Sequence, residues 1–591
     1  MSGAEIESSP ADAGSVKSGR VDSDRQLLQR ASAEGKTLSA YVRLSGPGWL
    51  QSAITLGGGS LAGSLFLGAL GGVSLLWLQL LAIVMGVIML SAISYVTLST
   101  GRRPFEAINA EINPALGWGW LIATSMANMI WCMPQFSLCY DALDKNLSTI
   151  GGGSGLGDSS ATRWTVTIVI LIAAVFVTML KVREGLASKI FDRFLKTLIG
   201  MIVVCFLGVS ALLLVQGQVN PSAVIAGFVP DFSQWTRPTG ELRGVVDGLP
   251  PVAADYWSTK LVSNQRTVMI AAAATAVGIN MTFLLPYSML ARGWDKPFRG
   301  LARFDLATGM AIPFVLVTSC IVIAAAASFH NRIDDQLAAS DLATMQRSPL
   351  FDSVAPDLIG RIEAELNAEL GDDAAKVSED EKLERVSRLS AEEKRIAGAL
   401  VKRDAFQLSQ TLSPLLGEVN AKLVFGLGVF GMGFSSIIIL MLINGYVFRE
   451  MLGRPDDTAA FVAGVVVVGI SGASWTWLWA GGAKIWLAIF ASTFGMMLLP
   501  IAYVTFFLMM NSRRILGDEM PRGGRRWTWN VAMGVAVAGA IAAAYTAIAD
   551  KAYDPEHPVA FPVVIGIVLV YAVTAVGGFW LRRHPLSDGN T

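Results

Sequence analysis

Long apolar runs, separated by short polar segments, dominate the chain from residue 45 onward. Runs of about 20 apolar residues have the length of a bilayer-spanning helix, and lipid leaves no partner for the amide groups of a loop. The pattern therefore predicts an all-α polytopic membrane protein that contacts the lipid bilayer. We predict twelve transmembrane helices, near 45–72, 73–98, 115–143, 164–183, 194–217, 266–291, 304–329, 421–448, 458–480, 483–510, 528–549 and 560–581.

Composition supports this prediction, because only 16% of the residues are charged, against roughly 25% in soluble domains. This excludes a nucleic-acid-binding protein and an ordinary soluble enzyme. The four cysteines all fall in apolar runs, so the sequence predicts no extracytoplasmic disulfide framework. Residues 1–38 are polar, lack a signal-peptide core, and are predicted to be a disordered cytoplasmic tail.

Basic residues are concentrated in alternate loops, which sets the predicted orientation. Arg102 and Arg103, Arg292 to Arg303, and Arg513 to Arg526 lie in loops on one side, whereas the opposite loops carry few basic residues. The positive-inside rule then places both termini in the cytoplasm. We expect an integral protein of a bacterial inner membrane, with spans 1–7 in residues 39–330 and spans 8–12 in residues 421–591.

Residues 331–420, between spans 7 and 8, are unlike the rest of the chain, with a net charge of about −7. Ser378 with Glu381, and Ser390 with Glu393, match the spacing of helix-capping boxes, and apolar residues follow at near-helical intervals. We predict an extracytoplasmic helical insert that acts as a lid. The alternative is a solvated tether with only nascent helices.

Two spans are interrupted at corresponding places in the two halves of the chain. Gly57, Gly58 and Gly59 weaken the first span, and Pro286 cannot donate a backbone hydrogen bond within the sixth. Interruptions five spans apart predict a five-plus-five inverted repeat with broken helices 1 and 6 and a binding site at the midplane. The alternative is that the glycines only allow close helix packing and that Pro286 is an ordinary kink.

Several motifs, in this order and spacing, resemble the NRAMP (natural resistance-associated macrophage protein) divalent metal transporters. They are Gly46-Pro47-Gly48, Leu285-Pro286-Tyr287, Gly433-Phe434-Ser435-Ser436, Leu499-Pro500 and Arg514-Ile515-Leu516-Gly517. The resemblance implies the LeuT-like fold of the amino acid–polyamine–organocation superfamily, with alternating access. The chain would be a divergent member of that group.

The ligand positions of that family carry other residues here. The family's Asp-Pro-Gly-Asn motif corresponds to Gly57–Ser60, and its Met-Pro-His motif corresponds to Leu285-Pro286-Tyr287. Its acidic pair falls at Trp131 and Pro134, and its glutamine falls at Phe434. A transition-metal ion needs donors that replace its hydration shell. We therefore predict no metal-ligand set and no resident cofactor.

Neutral polar groups remain at the interruptions. The predicted substrate-binding residues are Thr55, Gly57, Gly58, Gly59, Ser60, Asn280, Thr282, Leu285 and Tyr287. A helix that restarts after the glycines would favour a carboxylate or another anionic group. Ser435 and Ser436, beside unwound carbonyls of span 1, form a possible monovalent-cation site, or they bond their own helix backbone.

The sequence therefore predicts a secondary active transporter of a small solute or ion, with Na⁺ or H⁺ as a possible coupling ion. Transport of manganese or iron is doubtful on these residues. A transporter of a divalent cation such as partly hydrated Mg²⁺, and a non-transporting receptor or scaffold, remain as alternatives. No phosphate-binding loop motif supports ATP-driven pumping.

Overall fold

The computed structural model describes residues 10–157, 159–182, 186–330, 332–478, 484–552, 569, 573–577 and 579, and within these residues all regular secondary structure is helical. The first fifteen α-helices are α1 Pro10–Ala33, α2 Thr37–Leu44, α3 Pro47–Thr55, α4 Gly58–Gly71, α5 Trp77–Thr100, α6 Pro104–Glu111, α7 Pro114–Asp141, α8 Ser160–Val182, α9 Leu186–Val215, α10 Pro221–Gly227, α11 Glu241–Asp247, α12 Pro251–Thr275, α13 Ile279–Ala291, α14 Arg299–Leu306 and α15 Ile312–Ala325. The remaining helices are α16 Leu342–Met345, α17 Phe351–Leu370, α18 Glu379–Ser387, α19 Ala391–Leu400, α20 Ala405–Leu416, α21 Glu418–Met451, α22 Thr458–Ala473, α23 Trp475–Leu478, α24 Lys484–Met510, α25 Arg513–Leu516 and α26 Gly523–Ala552. Short π-helical segments at Ala142–Leu147, Ala307–Ala311 and Ala326–His330 extend α7, α14 and α15, and 3₁₀ turns lie at Phe232–Trp235, Lys296–Phe298, Gly371–Lys376 and Gly517–Glu519.

The described helices confirm an all-α polytopic membrane protein. Seven of them are long and apolar enough to cross a membrane, and nine spans result if each of two bent helix pairs is one span. Helices α7 and α21 pack against each other at the centre of the bundle, and most of α21 is buried. The predicted twelfth span, 560–581, lies almost wholly outside the described residues.

The first span is broken where the sequence predicted it. Helices α3 and α4 meet at an angle of 54°, and Leu56 and Gly57 separate them. Gly57 has extended backbone angles, φ −89° and ψ −176°, so the helical hydrogen bonding cannot continue through it. The break follows from the glycine run, because nothing in that run favours the helical conformation.

The sixth span is also broken, but not at Pro286. Helix α12 ends at Thr275, Gly278 is extended, and α13 then runs from Ile279 to Ala291 with Pro286 inside it. The prediction that Pro286 interrupts the sixth span is therefore wrong in its position. A proline removes one backbone hydrogen bond, and α13, nearly all buried against its neighbours, accommodates that loss.

The N-terminal segment also differs from its prediction. Residues 10–33, expected to be disordered, form helix α1. Arg25 forms an ion pair of 2.7 Å with Asp295, and Leu28 is buried in the main core. Contacts with a distant loop, which local composition does not reveal, hold this helix in place.

Residues 332–420 fold into α16–α20, in agreement with the predicted helical insert. Ser378 and Ser390 cap α18 and α19, because each side chain accepts the backbone N–H of the residue three positions later. The insert shares a second hydrophobic core with α12, and Trp257 and Leu261 of α12 are fully buried in it. Trp257 Nε1 also donates to Glu393 Oε2 at 2.9 Å, and the same carboxylate pairs with Arg361 at 2.8 Å.

Candidate functional site

The break in the first span is held by hydrogen bonds from both sides. The Gly58 N–H, the first of α4, donates to Gln135 Oε1 of α7 at 3.0 Å. The Gly57 N–H donates to the Ile54 carbonyl at 3.1 Å, and the Ser60 hydroxyl donates to the Thr55 carbonyl. The N-terminus of α4 is therefore partly satisfied by the protein itself.

The three glycines have different surroundings. A Cβ on Gly57 would stand 2.6 Å from Ser436 Oγ, and one on Gly58 would stand 3.2 Å from Leu138 and 3.3 Å from Gln135. A Cβ on Gly59 would meet nothing within 4 Å, and Gly59 is exposed. Gly57 is thus required for close packing, whereas a side chain at position 59 would meet no neighbouring atom.

Ser435 and Ser436 both reach the first span. Their hydroxyls donate to the Ala53 carbonyl of α3 at 2.9 and 3.2 Å, and Ser435 also lies 3.2 Å from the Met432 carbonyl of its own helix. The two serines thus stand beside a carbonyl of span 1. Here the hydroxyls bond that carbonyl directly.

The two broken spans meet through α3 and α13. The Thr55 hydroxyl lies 3.5 Å from the Met281 sulfur, and Gln51 Nε2 lies 3.5 Å from the Met281 carbonyl. Asn280, beside Met281, is fully buried at this junction, and its side-chain atoms have no hydrogen-bond partner among the described residues. Of the predicted residues on span 6, Asn280 is the one that lies at the break.

The other predicted residues of span 6 have different contacts. Thr282 Oγ1 accepts a hydrogen bond of 2.9 Å from Trp120 Nε1 of α7. Leu285 and Tyr287 lie about two turns beyond the start of α13, and the Tyr287 ring stacks on Phe283 at 4.2 Å. The structure therefore groups Thr55, Gly57–Ser60 and Asn280 near the breaks and places Leu285 and Tyr287 farther along the helix.

Two features of the site were missed from the sequence. Gln51 is fully buried on α3, and its Oε1 has no partner in the described part of the chain. Its position four residues before Thr55 on the same helix face was an available signal. Trp131 packs against the second break, since a Cβ on Gly278 would stand 2.4 Å from its ring.

Asp305 explains the Gly46-Pro47-Gly48 motif. Its carboxylate accepts the Gly46 N–H at 3.0 Å, the Gly48 N–H at 2.6 Å and the Ser45 hydroxyl. It thus caps the positive N-terminal end of α3. A Cβ on Gly48 would stand 2.0 Å from the Asp305 carbonyl oxygen, so glycine is required for this approach.

Charged groups surround this cap at the same end of the bundle. Asp192 bridges Lys181 at 2.7 Å and Arg292 at 2.9 Å. Lys196 Nζ donates to the Ser45 carbonyl at 3.1 Å. The beginning of the first span is therefore fixed by a polar network, whereas the break itself is lined by neutral groups.

The groups at the junction are amides, hydroxyls, backbone carbonyls and the Met281 thioether sulfur. No group of three or more His, Cys, Asp or Glu residues able to hold a metal ion occurs within the residues that the structure describes. Phe434 is buried and stacks on Phe430 at 5.4 Å, at the position where the resemblance implies a glutamine. The side chains present do not form a ligand set for a transition metal.

Comparison with known proteins identifies the family. The model of the family described as "Natural resistance-associated macrophage protein-like" matches residues 48–360 and 391–550. The chain is similar to a crystal structure of a point mutant of the Eremococcus coleocola manganese transporter, with 13% identity, 92% of this chain and 96% of that chain covered, and a TM-score of 0.61. It is also similar to the same transporter in complex with an aromatic bis-isothiourea substituted compound, with 15% identity, 93% and 96% coverage, and a TM-score of 0.60.

No curated protein matches the chain significantly. At these identities the solved structures show the fold, and the family model, which spans most of the chain, shows the family. The chain belongs to the Nramp family, and it is a membrane transporter with a LeuT-like fold rather than an enzyme.

Proposed function

We propose that this protein is a secondary active transporter that moves a small solute or ion by alternating access, and that its site does not accept dehydrated Mn²⁺ or Fe²⁺. One observation carries the proposal. The two broken spans meet at a fully buried junction whose side chains, Gln51, Thr55 and Asn280, are all neutral.

A transition-metal ion must exchange its hydration shell for protein donors. Carboxylate, imidazole and thiolate groups supply the charge and softness that this exchange requires. The junction instead offers amide and hydroxyl groups and one neutral thioether sulfur, that of Met281. The resemblance aligns Gly57 and Ser60 with the family's Asp and Asn. Neutral groups of this kind favour a substrate whose binding does not require an ionised side chain.

Transport of a partly hydrated divalent cation such as Mg²⁺ is the second candidate. Family membership and the name "manganese transporter" of the similar structures support a metal ion as substrate. Mg²⁺ usually retains several waters, which neutral oxygens can bind, although one or two carboxylates generally contribute. A purely scaffolding role has less support, because that role does not require spans 1 and 6 to be broken.

The orientation and the coupling complete the proposal. We place both termini in the cytoplasm of a bacterial inner membrane and the insert on the opposite side, because the basic loops favour that arrangement. Na⁺ or H⁺ is the proposed coupling ion. A monovalent cation would displace the hydroxyls of Ser435 and Ser436 from the Ala53 carbonyl.

Calorimetry on purified protein, together with uptake into proteoliposomes, tests the proposal. We expect no micromolar Mn²⁺ or Fe²⁺ isotherm and no saturable uptake of either ion. Ser60→Ala is the informative variant, and Ser64→Ala, one turn later on α4, is its control. A micromolar Mn²⁺ isotherm that Ser60→Ala abolishes and Ser64→Ala retains would refute the exclusion of transition metals.

A further inference from the structure

A group of exposed arginines lies where the chain passes from α24 to α26. Helix α26, and α24 with its bent continuation α25, are each long and apolar enough to cross a membrane, so the segment between them, residues 511–526, lies at one membrane edge. Four arginines of this segment form no ion pair with a carboxylate among the described residues, and we call them the arginine cluster: Arg513, Arg514, Arg525 and Arg526.

Contacts hold the two ends of this segment together. Arg526 Nε and Nη2 both donate to Asn511 Oδ1 at 3.3 Å, and Asn511 Nδ2 donates to Asn530 Oδ1 at 2.8 Å. Arg526 is thus fixed beside the start of α25, whose first two residues belong to the cluster. The Arg525 Cζ atom lies 5.2 Å from the centroid of the Tyr95 ring of α5, and α25 packs against the same helix. The cluster therefore forms one surface patch.

The acidic residues next to this patch are already paired with other basic residues. Helix α6, which contributes two of these acids, packs against α25. The pairs are Asp518 with Arg522, Glu519 with Lys296 and Arg299, Glu111 with Arg102, and Glu106 and Glu450 with Arg103. These pairs balance in charge, so the arginine cluster keeps its own positive charge uncompensated. Like charges held close together repel one another, and an anion between them removes that repulsion.

The exposed face of α26 connects the patch with the lipid-facing surface. Trp527 follows Arg526 directly and is 69% exposed, and Val531 and Val535, one and two turns later, are 44% and 56% exposed. Residues four apart share one face of a helix, so these three side chains form an apolar stripe. Tryptophan is enriched where acyl chains meet head groups. The stripe therefore places the arginine cluster at the depth of the lipid head groups.

We infer that the arginine cluster binds the head group of an anionic phospholipid, whose acyl chains lie along the apolar stripe of α26. Guanidinium groups bind phosphate oxygens through paired N–H donors and stay charged at every physiological pH. Basic sites between membrane-spanning helices bind anionic head groups in this way. A soluble phosphate compound would satisfy the arginines but would leave the stripe without a partner, so the lipid fits both features.

Native mass spectrometry of the full chain in detergent micelles counts bound lipids and tests this inference. Phosphatidylglycerol and phosphatidylcholine with identical acyl chains both carry a phosphodiester, but only phosphatidylglycerol has a net negative charge. We expect wild type to retain phosphatidylglycerol with an affinity at least about tenfold higher than that for phosphatidylcholine, because several basic residues act together. Glycerol phosphate at the same concentration should not displace the lipid.

Paired variants locate the binding. Arg513→Gln combined with Arg514→Gln should lower the affinity for phosphatidylglycerol about tenfold. Arg388→Gln combined with Arg454→Gln is the control. It removes the same charge from two arginines that are each 71% exposed and paired with an acid elsewhere, and it should retain the lipid. Arg513→Lys combined with Arg514→Lys keeps the charge and should retain most of the preference. All of these side chains are exposed, so each variant should keep the wild-type Tm in phosphatidylcholine micelles.

Each outcome bears on the inference and not on the transport proposal, since no transported substrate enters the measurement. Equal retention of the two lipids by wild type would overturn the inference. Equal losses in the Arg513/Arg514 glutamine variant and in the control would also overturn it, because net charge alone would then attract the lipid. Displacement by glycerol phosphate would identify a site for a soluble phosphate and refute the lipid assignment. A lysine variant as weak as the glutamine variant would contradict the role of the uncompensated charge.

Discussion

Gly57 is the glycine of the triplet at which an added methyl group would collide with another span. Its φ of −89° is open to any residue, so the backbone does not oppose Gly57→Ala. The obstacle is steric, because the new Cβ would stand 2.6 Å from Ser436 Oγ and 3.1 Å from the Ile54 carbonyl. Overpacking of this kind costs about 1–3 kcal/mol. We expect Gly57→Ala to lower the free energy of unfolding by that amount.

A double-mutant cycle isolates the collision. Ser436→Ala removes the closest atom, and its own cost should be below about 1 kcal/mol because Ser435 still donates to the Ala53 carbonyl. The double variant should then be about 1–2 kcal/mol more stable than the sum of the single effects predicts. The assay is equilibrium unfolding in mixed detergent micelles, followed by tryptophan fluorescence.

Gly59→Ala provides the matched control. Its Cβ would meet nothing within 4 Å, so the substitution should be neutral or stabilise the helix by up to about 1 kcal/mol. Strictly additive effects of Gly57→Ala and Ser436→Ala would refute the reasoning. Equal losses for Gly57→Ala and Gly59→Ala would also refute it, because the contact would then not be the cause.

Three further predictions concern other parts of the molecule. Asp305→Asn should lower the free energy of unfolding by about 1–3 kcal/mol, because a neutral amide replaces the charged cap of α3; an unchanged Tm would contradict this. Glu393→Gln should lower the free energy of unfolding by about 3 kcal/mol and expose the insert to protease, because it breaks a buried ion pair. Glu381→Gln, which affects an exposed pair, should lower it by at most about 1 kcal/mol. Equal proteolysis of both variants would argue against a docked insert. Burial, with Asp357 and Glu363 nearby, raises the pKa of Tyr256 to about 12, so its contribution to stability should be complete below about pH 10 and lost as the pH rises towards 12. Tyr256→Phe should remove one phenol that titrates near pH 12 in an absorbance titration, and loss of a phenol titrating near 10 would contradict the assignment.

Local chemistry explains which parts of the fold were predictable. The first break follows from a run of glycines, and both serine caps of the insert follow from helix-start spacing. The second break was misplaced because Pro286 is a strong local signal. The actual break, at Gly278, coincides with the packing of a tryptophan from α7, about 150 residues away in sequence.

The candidate site was predictable only in its general character. The resemblance aligned the family's ligands with Gly57, Ser60 and Leu285, but the second break lies at Gly278, so Leu285 is not at the break. The surroundings of the second break could not be predicted, because Gln51, which lies 3.5 Å from the Met281 carbonyl, and Trp131 come from two other helices, and the sequence does not indicate which of their faces meet. Asp305 was visible as an acidic residue at the start of a span. The Gly48 N–H that donates to its carboxylate, however, lies 257 residues earlier in the chain.

The docking of the insert has a mechanical consequence. The insert is anchored on α12 through Trp257 and on α4 through the Lys402–Phe66 contact of 5.8 Å, so it bridges one half of each broken span. Any rotation of these half-helices must therefore move the insert as well. A spectroscopic label on Arg388, whose side chain is 71% exposed, would therefore report the motion of both spans without touching the residues at the breaks.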